Sequence, residues 1–172
     1  GKTRTGAQDI VHYCLKNPNS ICAVVAPTHG DLRRVCLDGP SGVMSFVPEE
    51  CLKRGSRRSY NQSVGEVNFA NGSLIQGHAA IEPDRMRGPQ YHRAWCDELA
   101  AWRYPEAFDQ LMFGLRLGDN PQCLITTTPK PKLIIRNLAK RGEDPDDPAV
   151  VVTKGSTYEN RANLAAGFFD HI

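Results

Sequence analysis

Apolar runs alternate along the chain with segments in which apolar residues recur at helical spacing, a pattern typical of α/β proteins. The continuous apolar runs predict parallel strands that are buried on both faces. Between two of them, apolar positions alternate on either side of Asn71-Gly72, which predicts an antiparallel hairpin over residues 64–80. The predicted strands lie at 21–26, 94–96, 122–126 and 150–153, and the predicted helices follow residues 3, 28, 105 and 131, with a further loop and helix at 158–172. We therefore predict a central, mostly parallel sheet that is flanked by helices and carries an inserted hairpin.

The composition is that of a globular protein and argues against a membrane protein. Hydrophobic residues make up 40% of the 172 residues and charged residues 23%, values that suit one domain with a sizeable core. The net charge of +2 is too small to indicate nucleic-acid binding by itself. No apolar stretch approaches the roughly 18 residues that a membrane span needs. Six cysteines without a C-x-x-C pair predict reduced thiols in a cytosolic compartment.

Two adjacent carboxylates, Asp97 and Glu98, follow the predicted strand at 94–96. Ligands of open α/β sheets bind at the C-terminal edge of the strands, where loops and helix N-termini converge. Successive strand side chains point to opposite faces, so we expect one acid to reach a magnesium ion and the other a nucleophile or a water. An acidic doublet alone is more often part of a solvated loop or a helix start, so this interpretation depends on the rest of the chain.

The first residues match the end of a phosphate-binding loop. Gly1-Lys2-Thr3 fits the second half of G-x-x-x-x-G-K-[ST], and an amphipathic helix follows, as this loop requires. Lys2 would reach the β- and γ-phosphates and Thr3 would be a magnesium ligand. Arg4 and the first-turn backbone would also face phosphate. We expect the sequence to begin inside this loop, after its first glycine and the preceding strand.

Three further groups of polar residues could serve such a site. Hydroxyls at a strand end are expected beside the acidic strand, although a plain β-branched strand end would look the same. Two arginines in a turn-rich loop either bond loop carbonyls or meet a phosphate, and a basic segment either contacts a polyanion or forms a solvated loop. The residues are Thr126, Thr127 and Thr128 in the first group, Arg85 and Arg87 in the second, and Lys53, Arg54, Arg57 and Arg58 in the third.

The order of these features is that of a P-loop NTPase. A phosphate loop, helix, strand, helix, hairpin, acidic strand, helix and polar-tipped strand follow one another. Because Glu98 directly follows Asp97, the chain fits the additional-strand branch, in which this glutamate polarises the attacking water. Five segments together resemble the large terminase subunit of tailed bacteriophages, and they span essentially the whole chain: 1–7, 85–90, 94–102, 124–131 and 158–164.

The resemblance implies an ATPase motor that uses ATP and Mg²⁺ to translocate double-stranded DNA into a procapsid. It implies that Lys2 and Thr3 bind phosphate and magnesium, that Asp97 holds the magnesium and that Glu98 activates water. The threonines at 126–128 would sense the γ-phosphate and couple hydrolysis to movement. Arg87 matches a position proposed as an arginine finger across a subunit boundary, with Arg4 and Arg85 as the other candidates.

The resemblance also implies a domain layout and partners. Residues 1–155 would be the ATPase domain, and residues 156–172 would lead toward a nuclease domain that is expected beyond this sequence. The expected partners are double-stranded DNA, a portal protein and a small terminase subunit, with the full-length protein in a homo-oligomeric ring on the procapsid in the bacterial cytoplasm.

Two other classes of function remain open from the residues alone. One is a degenerate NTPase fold that only docks DNA or partners. The other is a metal-dependent hydrolase that uses Asp97 and Glu98, with Gly1-Lys2-Thr3 a coincidence. The second would need further acids or histidines at the site, for which His78 and His92 are too few.

Overall fold

A computed structural model describes residues 1–156. The chain divides into two compact units. The larger unit, Lys2–Lys130, contains a six-stranded sheet, and the described part of the smaller unit contains one helix. The strands are β1 (Ile21–Ala26), β2 (Tyr60–Asn61), β3 (Glu66–Asn68), β4 (Leu74–Ala79), β5 (Arg93–Asp97) and β6 (Gln122–Thr126). The helices are α1 (Lys2–Lys16), the single turn α2 (His29–Asp31), α3 (Glu106–Gly114) and α4 (Leu133–Gly142).

The sheet has the strand order β2-β3-β4-β1-β5-β6. Strands β4, β1, β5 and β6 are parallel, whereas β2, β3 and β4 pair antiparallel. The predicted mostly parallel sheet and the hairpin are therefore confirmed. The hairpin is more than an insertion, because its second arm, β4, lies beside β1 as a full member of the parallel set.

Helix α1 packs on the sheet through the apolar stripe that the sequence predicts. Ala7, Ile10, Val11 and Cys14 are buried, and their spacing places them on one face of the helix. An ion pair also fixes this helix from its side. Arg93 of β5 donates from its guanidinium to both carboxylate oxygens of Asp9 at 2.7 Å. The helix therefore holds a fixed position over β5.

The segment after β1 is helical, as its cap residues predict. The hydroxyl of Thr28 accepts a hydrogen bond from the backbone N–H of Asp31, which starts the turn. From Leu32 to Leu37 the helix has π geometry. Such wider turns change the direction in which side chains point. Here Cys36 is buried, whereas Val35 is 40% exposed.

Two predicted features differ in the structure. The sequence predicts that helix α3 ends at Gly118 with Met112 on its core side, whereas the helix ends at Gly114 and Met112 is 41% exposed. The strand predicted at 150–153 is wrong, since these residues form no strand in the described part of the chain and Val151 is 83% exposed. A β-branched run becomes a strand only when a sheet edge accepts its backbone hydrogen bonds. Instead, the side chain of Val152 packs against Gly142 of α4.

Within the smaller unit, short-range ion pairs join α4 to the loop after it. Arg141 pairs with Asp147 at 2.7 Å and Lys154 with Glu143 at 3.4 Å. The loop and helix predicted at 158–172 lie outside the described residues. Throughout the described range, all six cysteines are free thiols, as predicted, and no helix is long and apolar enough to cross a membrane.

Candidate functional site

Six of the predicted site residues converge where β5 and β6 end beside the N-terminus of α1, and they are Lys2, Asp97, Glu98, Thr126, Thr127 and Thr128. Asp97, the last residue of β5, is directly opposite Thr126, the last residue of β6. Parallel strands end at the same edge, and a helix that follows a phosphate-type loop begins there. Helix α1 begins at Lys2, whose ammonium lies 2.8 Å from the hydroxyl of Thr128. The two ends of the chain's larger unit therefore form one cluster, as predicted.

Asp97 is buried and accepts a side-chain hydrogen bond from within the fold. The hydroxyl of Thr126 donates to its Oδ1 at 2.9 Å. The pKa of Asp97 is raised by burial, and hydrogen bonding from Thr126, the nearby Cys36 thiol and the charge of Lys2 oppose this shift only in part. A buried carboxylate that a hydroxyl fixes in place is well suited to hold a cation.

Glu98 lies at a sharp bend, with φ 46° and ψ 48° in the left-handed region. A non-glycine residue there costs free energy, and such strain concentrates at functional sites. The bend turns the carboxylate toward Thr128, whose N–H donates to Oε2 at 3.0 Å and whose hydroxyl donates to Oε1 at 3.2 Å. Lys2 lies 3.4 Å from Oε1. Glu98 is thus held at the opening of the cluster, with its side chain 32% exposed.

The three threonines after β6 contact three different groups. Thr126 bonds Asp97, and Thr128 bonds Glu98 and Lys2. The hydroxyl of Thr127 accepts from the backbone N–H of Ala100, which follows the acidic pair by two residues. This run therefore ties the tip of β6 to both acids and to the turn beyond them.

The donor set fits a nucleotide phosphate with magnesium. Lys2 and the N–H groups at the N-terminus of α1 are groups of the kind that bind anions. The hydroxyl of Thr3 and the carboxylate of Asp97 are hard oxygen ligands, which Mg²⁺ prefers, usually with phosphate and water completing the shell. Gly1 directly precedes the helix.

A multi-ligand metal centre finds no support in the same residues. The described part of the chain has no group of three or more His, Cys, Asp or Glu side chains that could hold a metal. His78 bonds the hydroxyl of Tyr91 at 2.7 Å, and His92 accepts from the N–H of Ile21 at the opposite end of the sheet. Both histidines therefore contribute to other parts of the fold.

The candidate arginines lie on the surface, paired within their own segment. The side chain of Arg87 is 66% exposed and pairs with Asp84 at 3.2 Å, three residues away. Arg85, 72% exposed, pairs with Glu82 at 2.6 Å. Arg4 lies over the ring of Phe46 instead, 5.5 Å from its centroid. Their roles toward a phosphate remain predictions.

The basic segment is also exposed. Its four cationic side chains lie between the π-helical turn and β2, two on a turn and two on the short 3-10 helix Arg57–Ser59, and Arg57 pairs with Asp38 at 2.6 Å. No carboxylate of the described residues lies within ion-pair distance of the other three, Lys53, Arg54 and Arg58.

Sequence reasoning missed two buried residues of this site. Trp95 donates its indole N–H to the hydroxyl of Thr126 at 2.8 Å, and the buried thiol of Cys36 lies close enough to Asp97 to affect the pKa of its carboxyl. For Trp95 a signal exists, since a residue two before Asp97 lies on the same face of a strand. Cys36 reaches the site only through the π-helical turn, which no local pattern indicates.

Comparisons with known proteins define the fold and the family. The ATPase domain of the large terminase of Thermus phage P74-26 superposes with a TM-score of 0.61 at 17% identity, over 91% of this chain and 68% of that one. The large terminase of a thermophilic bacteriophage superposes with a TM-score of 0.62 at 12% identity, over 97% of this chain and 43% of that one. The larger unit thus has the P-loop NTPase fold that was predicted.

The family follows from the sequence match. Residues 1–172 match the family described as "Terminase large subunit, T4likevirus-type, N-terminal". No curated protein matches this chain. The chain belongs to the N-terminal, ATPase-domain family of large terminase subunits, which confirms the predicted resemblance.

Proposed function

We propose that this chain is the ATP-hydrolysing part of a motor that moves double-stranded DNA into a procapsid. The observation that carries the proposal is the cluster of Lys2, Thr128 and Glu98 beside the buried Asp97. It brings together a cation for phosphate, a carboxylate for magnesium and a carboxylate for water. The chain spans 43% of the length of the large terminase of the thermophilic bacteriophage, and the proposed activity is that of the full-length protein.

The residues divide the reaction between them. Lys2 and the first-turn N–H groups of α1 bind the phosphates, and Thr3 with Asp97 would hold the magnesium. Bound Mg²⁺ neutralises phosphate charge as it develops. Glu98 accepts a proton from the attacking water, whose oxygen forms the new bond to the γ-phosphorus as the bond to ADP breaks. Thr128 orients the glutamate by bonding both of its oxygens.

Replacing Glu98 with glutamine tests this function. Glu98→Gln keeps size and most hydrogen bonds but removes the base, so we expect ATP turnover to fall by ~10²–10⁴-fold while nucleotide binding survives. Phosphate release and binding of a fluorescent ATP analogue would be measured in the full-length protein. Glu106→Gln, an exposed glutamate at the start of α3, is the matched control. Turnover near the parent rate in Glu98→Gln would refute the assignment.

We further propose that the basic segment contacts the DNA backbone. Exposed lysine and arginine side chains that meet phosphates release counterions, which makes binding depend on salt. Each phosphate contact contributes about 0.9 to the slope of log affinity against log salt. Replacing Lys53, Arg54 and Arg58 with alanine should therefore lower that slope by roughly 2–3 for a DNA duplex of random sequence. An unchanged slope would place the DNA elsewhere on the protein.

The proposed assembly follows from the family resemblance. A homo-oligomeric ring would act with a portal protein and a small terminase subunit. The exposure of Arg87, whose side chain is 66% exposed, supports a role across a subunit boundary, for which its guanidinium would have to leave its ion pair with Asp84.

A further inference from the structure

The buried side of the candidate site contains a hydrogen-bond chain that runs from a tryptophan to the magnesium-binding carboxylate. The indole N–H of Trp95 donates to Thr126 at 2.8 Å, and the hydroxyl of Thr126 donates to Asp97 at 2.9 Å. All three side chains are buried: Trp95 is 0% exposed, Thr126 7% and Asp97 4%.

The register of the sheet creates this chain. Trp95 and Asp97 are two residues apart on β5, so both side chains lie on the same face. Thr126 is directly opposite Asp97 on β6, which places its hydroxyl between the indole and the carboxylate. A change at any of the three positions therefore reaches the other two.

The indole N–H restricts which way the hydroxyl points. A threonine hydroxyl has one proton and two lone pairs. The N–H of Trp95 occupies one lone pair, so the hydroxyl proton points away from the indole. Of the two acceptors then within reach, the charged carboxylate of Asp97 at 2.9 Å is closer than the carbonyl oxygen of Cys96 at 3.5 Å.

The same indole lies under the phosphate-binding helix. Gly6 of α1 packs directly on the ring of Trp95, so closely that a methyl group there would overlap it. The side chain that directs the hydroxyl therefore also sets the height of α1 over the sheet. The indole ring of Trp95 therefore positions both the phosphate-binding residues of α1 and the carboxylate of Asp97 on β5.

We propose that Trp95 is a positioning residue that orients Asp97 toward magnesium through Thr126. This inference rests on the proposed nucleotide site. Groups that bond a metal ligand from behind orient it, and their loss typically lowers metal affinity or activity by ~10–100-fold. Trp95 is one hydrogen bond further from the metal, so its loss should have a smaller effect, of about 10-fold or less.

The test removes the N–H and keeps the ring. Trp95→Phe in the full-length protein should raise the Mg²⁺ concentration for half-maximal ATP turnover by roughly 3–10-fold. Affinity for a fluorescent ADP analogue in EDTA should stay at the parent value. Addition of Mg²⁺ should raise the affinity of the parent protein for that analogue, and in Trp95→Phe this increase should be smaller by the same factor. The binding measurement gives a readout apart from turnover.

A matched control uses the other tryptophan of the chain. Trp102 also donates its indole N–H next to the site, but to the backbone carbonyl oxygen of Asp97 at 2.9 Å. Trp102→Phe should leave the Mg²⁺ dependence unchanged. If both substitutions shift it equally, general loosening explains the result and the positioning role is refuted.

A double-mutant cycle tests the route through Thr126. Thr126→Val should shift the Mg²⁺ dependence at least as far as Trp95→Phe, and the double variant should shift it no further. Thr126→Ser, which keeps the hydroxyl, should restore most of the parent value. Additive effects would overturn the proposed chain.

The outcomes separate this inference from the proposed function. A parent protein that neither binds nucleotide nor hydrolyses ATP would refute the function. A parent that hydrolyses ATP, with a Trp95→Phe variant of the same Mg²⁺ dependence, would refute the positioning role alone. If Trp95→Phe fails to fold, the Thr126→Val and Thr126→Ser pair tests the same hydroxyl, and equal Mg²⁺ dependence in both would refute the role.

Discussion

Each acid of the Asp97-Glu98 pair is bonded by a threonine hydroxyl that itself accepts from another donor, but the two arrangements differ in exposure. On the buried side, Trp95 donates to Thr126, which donates to Asp97. On the open side, Lys2 donates to Thr128, and the hydroxyl of Thr128 donates to Glu98. We call these the buried chain and the open chain. They have the same chemistry in opposite surroundings.

Exposure determines what each chain can do. Lys2 is 49% exposed and Glu98 32%, and ion pairs of this kind contribute at most about 1 kcal/mol. Lys2 can therefore exchange Glu98 for a phosphate oxygen at little cost, which leaves the glutamate available to water. The side chains of the buried chain are closed to solvent, and a buried donor left without a partner costs about 1–3 kcal/mol. The buried chain is thus suited to hold Asp97 still.

The prediction with the largest expected effect tests whether Arg87 of a neighbouring subunit completes the site at the open chain. A guanidinium placed on a neighbour's γ-phosphate stabilises charge in the transition state, so we expect Arg87→Ala to lower turnover by ~10³–10⁵-fold. In mixtures with Glu98→Gln subunits, some hydrolysis should return, because each variant retains the group that the other lacks. Phosphate release would be measured under conditions in which the two variants are shown to co-assemble.

Arg85→Ala is the matched control for that experiment. Arg85 lies in the same loop and forms a similar ion pair three residues away, with Glu82. Loss of turnover in Arg85→Ala with full activity in Arg87→Ala would move the finger to Arg85. Co-assembled mixtures without any recovery would indicate that Arg87 acts within its own subunit.

The second prediction concerns the donor of the open chain. Lys2→Ala removes a charge that pairs with phosphate in the ground state, so affinity for ATP should fall by roughly 10–100-fold, the value of one or two charge-assisted hydrogen bonds. Equilibrium binding of a fluorescent ATP analogue would measure it. Lys16→Ala, an exposed lysine at the other end of α1, should bind as the parent does. Equal affinity in Lys2→Ala would contradict the phosphate-loop assignment.

The open chain could be predicted from sequence better than the buried one. Acids and threonines at the ends of two apolar runs must meet, because parallel strands end at one edge of a sheet. Lys2 joins them because a helix that follows such a loop begins at the same edge. The bond from Trp95 depends on the β5–β6 register and on the space above Gly6, which are tertiary properties.

Other differences between prediction and structure have the same origin. Helical spacing places Met112 on the core side of α3, yet the core lies against Ala107 and Leu111, and Met112 is 41% exposed. The run at 150–153 has the composition of a strand, but the side chain of Val152 packs on Gly142. In each case a local pattern predicts the element that it can form, and packing partners decide whether it does.

The third prediction tests how tightly the buried chain is packed. Gly6→Ala would force a methyl group into the ring of Trp95, and overpacking of this kind costs about 1–3 kcal/mol of unfolding free energy. Gly30→Ala is the control, because the nearest atom to a methyl group there, the hydroxyl oxygen of Thr28, is 3.6 Å away. Urea denaturation would measure both. A Gly6→Ala protein as stable as the parent would mean that the ring can move, which would weaken its role in orienting Asp97.

The last prediction sets the two threonines against each other. Thr126→Val and Thr128→Val are the same chemical change, the loss of one hydroxyl with the shape kept. At Thr126 the change leaves the N–H of Trp95 and one oxygen of Asp97 without their partner in a buried place, so the unfolding free energy should fall by about 1–2 kcal/mol. At Thr128 water can replace the hydroxyl, so stability should change by at most about 0.5 kcal/mol. The two changes should also affect catalysis differently. Thr128→Val loosens Glu98 and should lower turnover without a change in Mg²⁺ dependence. Thr126→Val should shift the Mg²⁺ dependence. Equal losses of stability at the two positions, measured by urea denaturation, would show that burial does not separate the two chains.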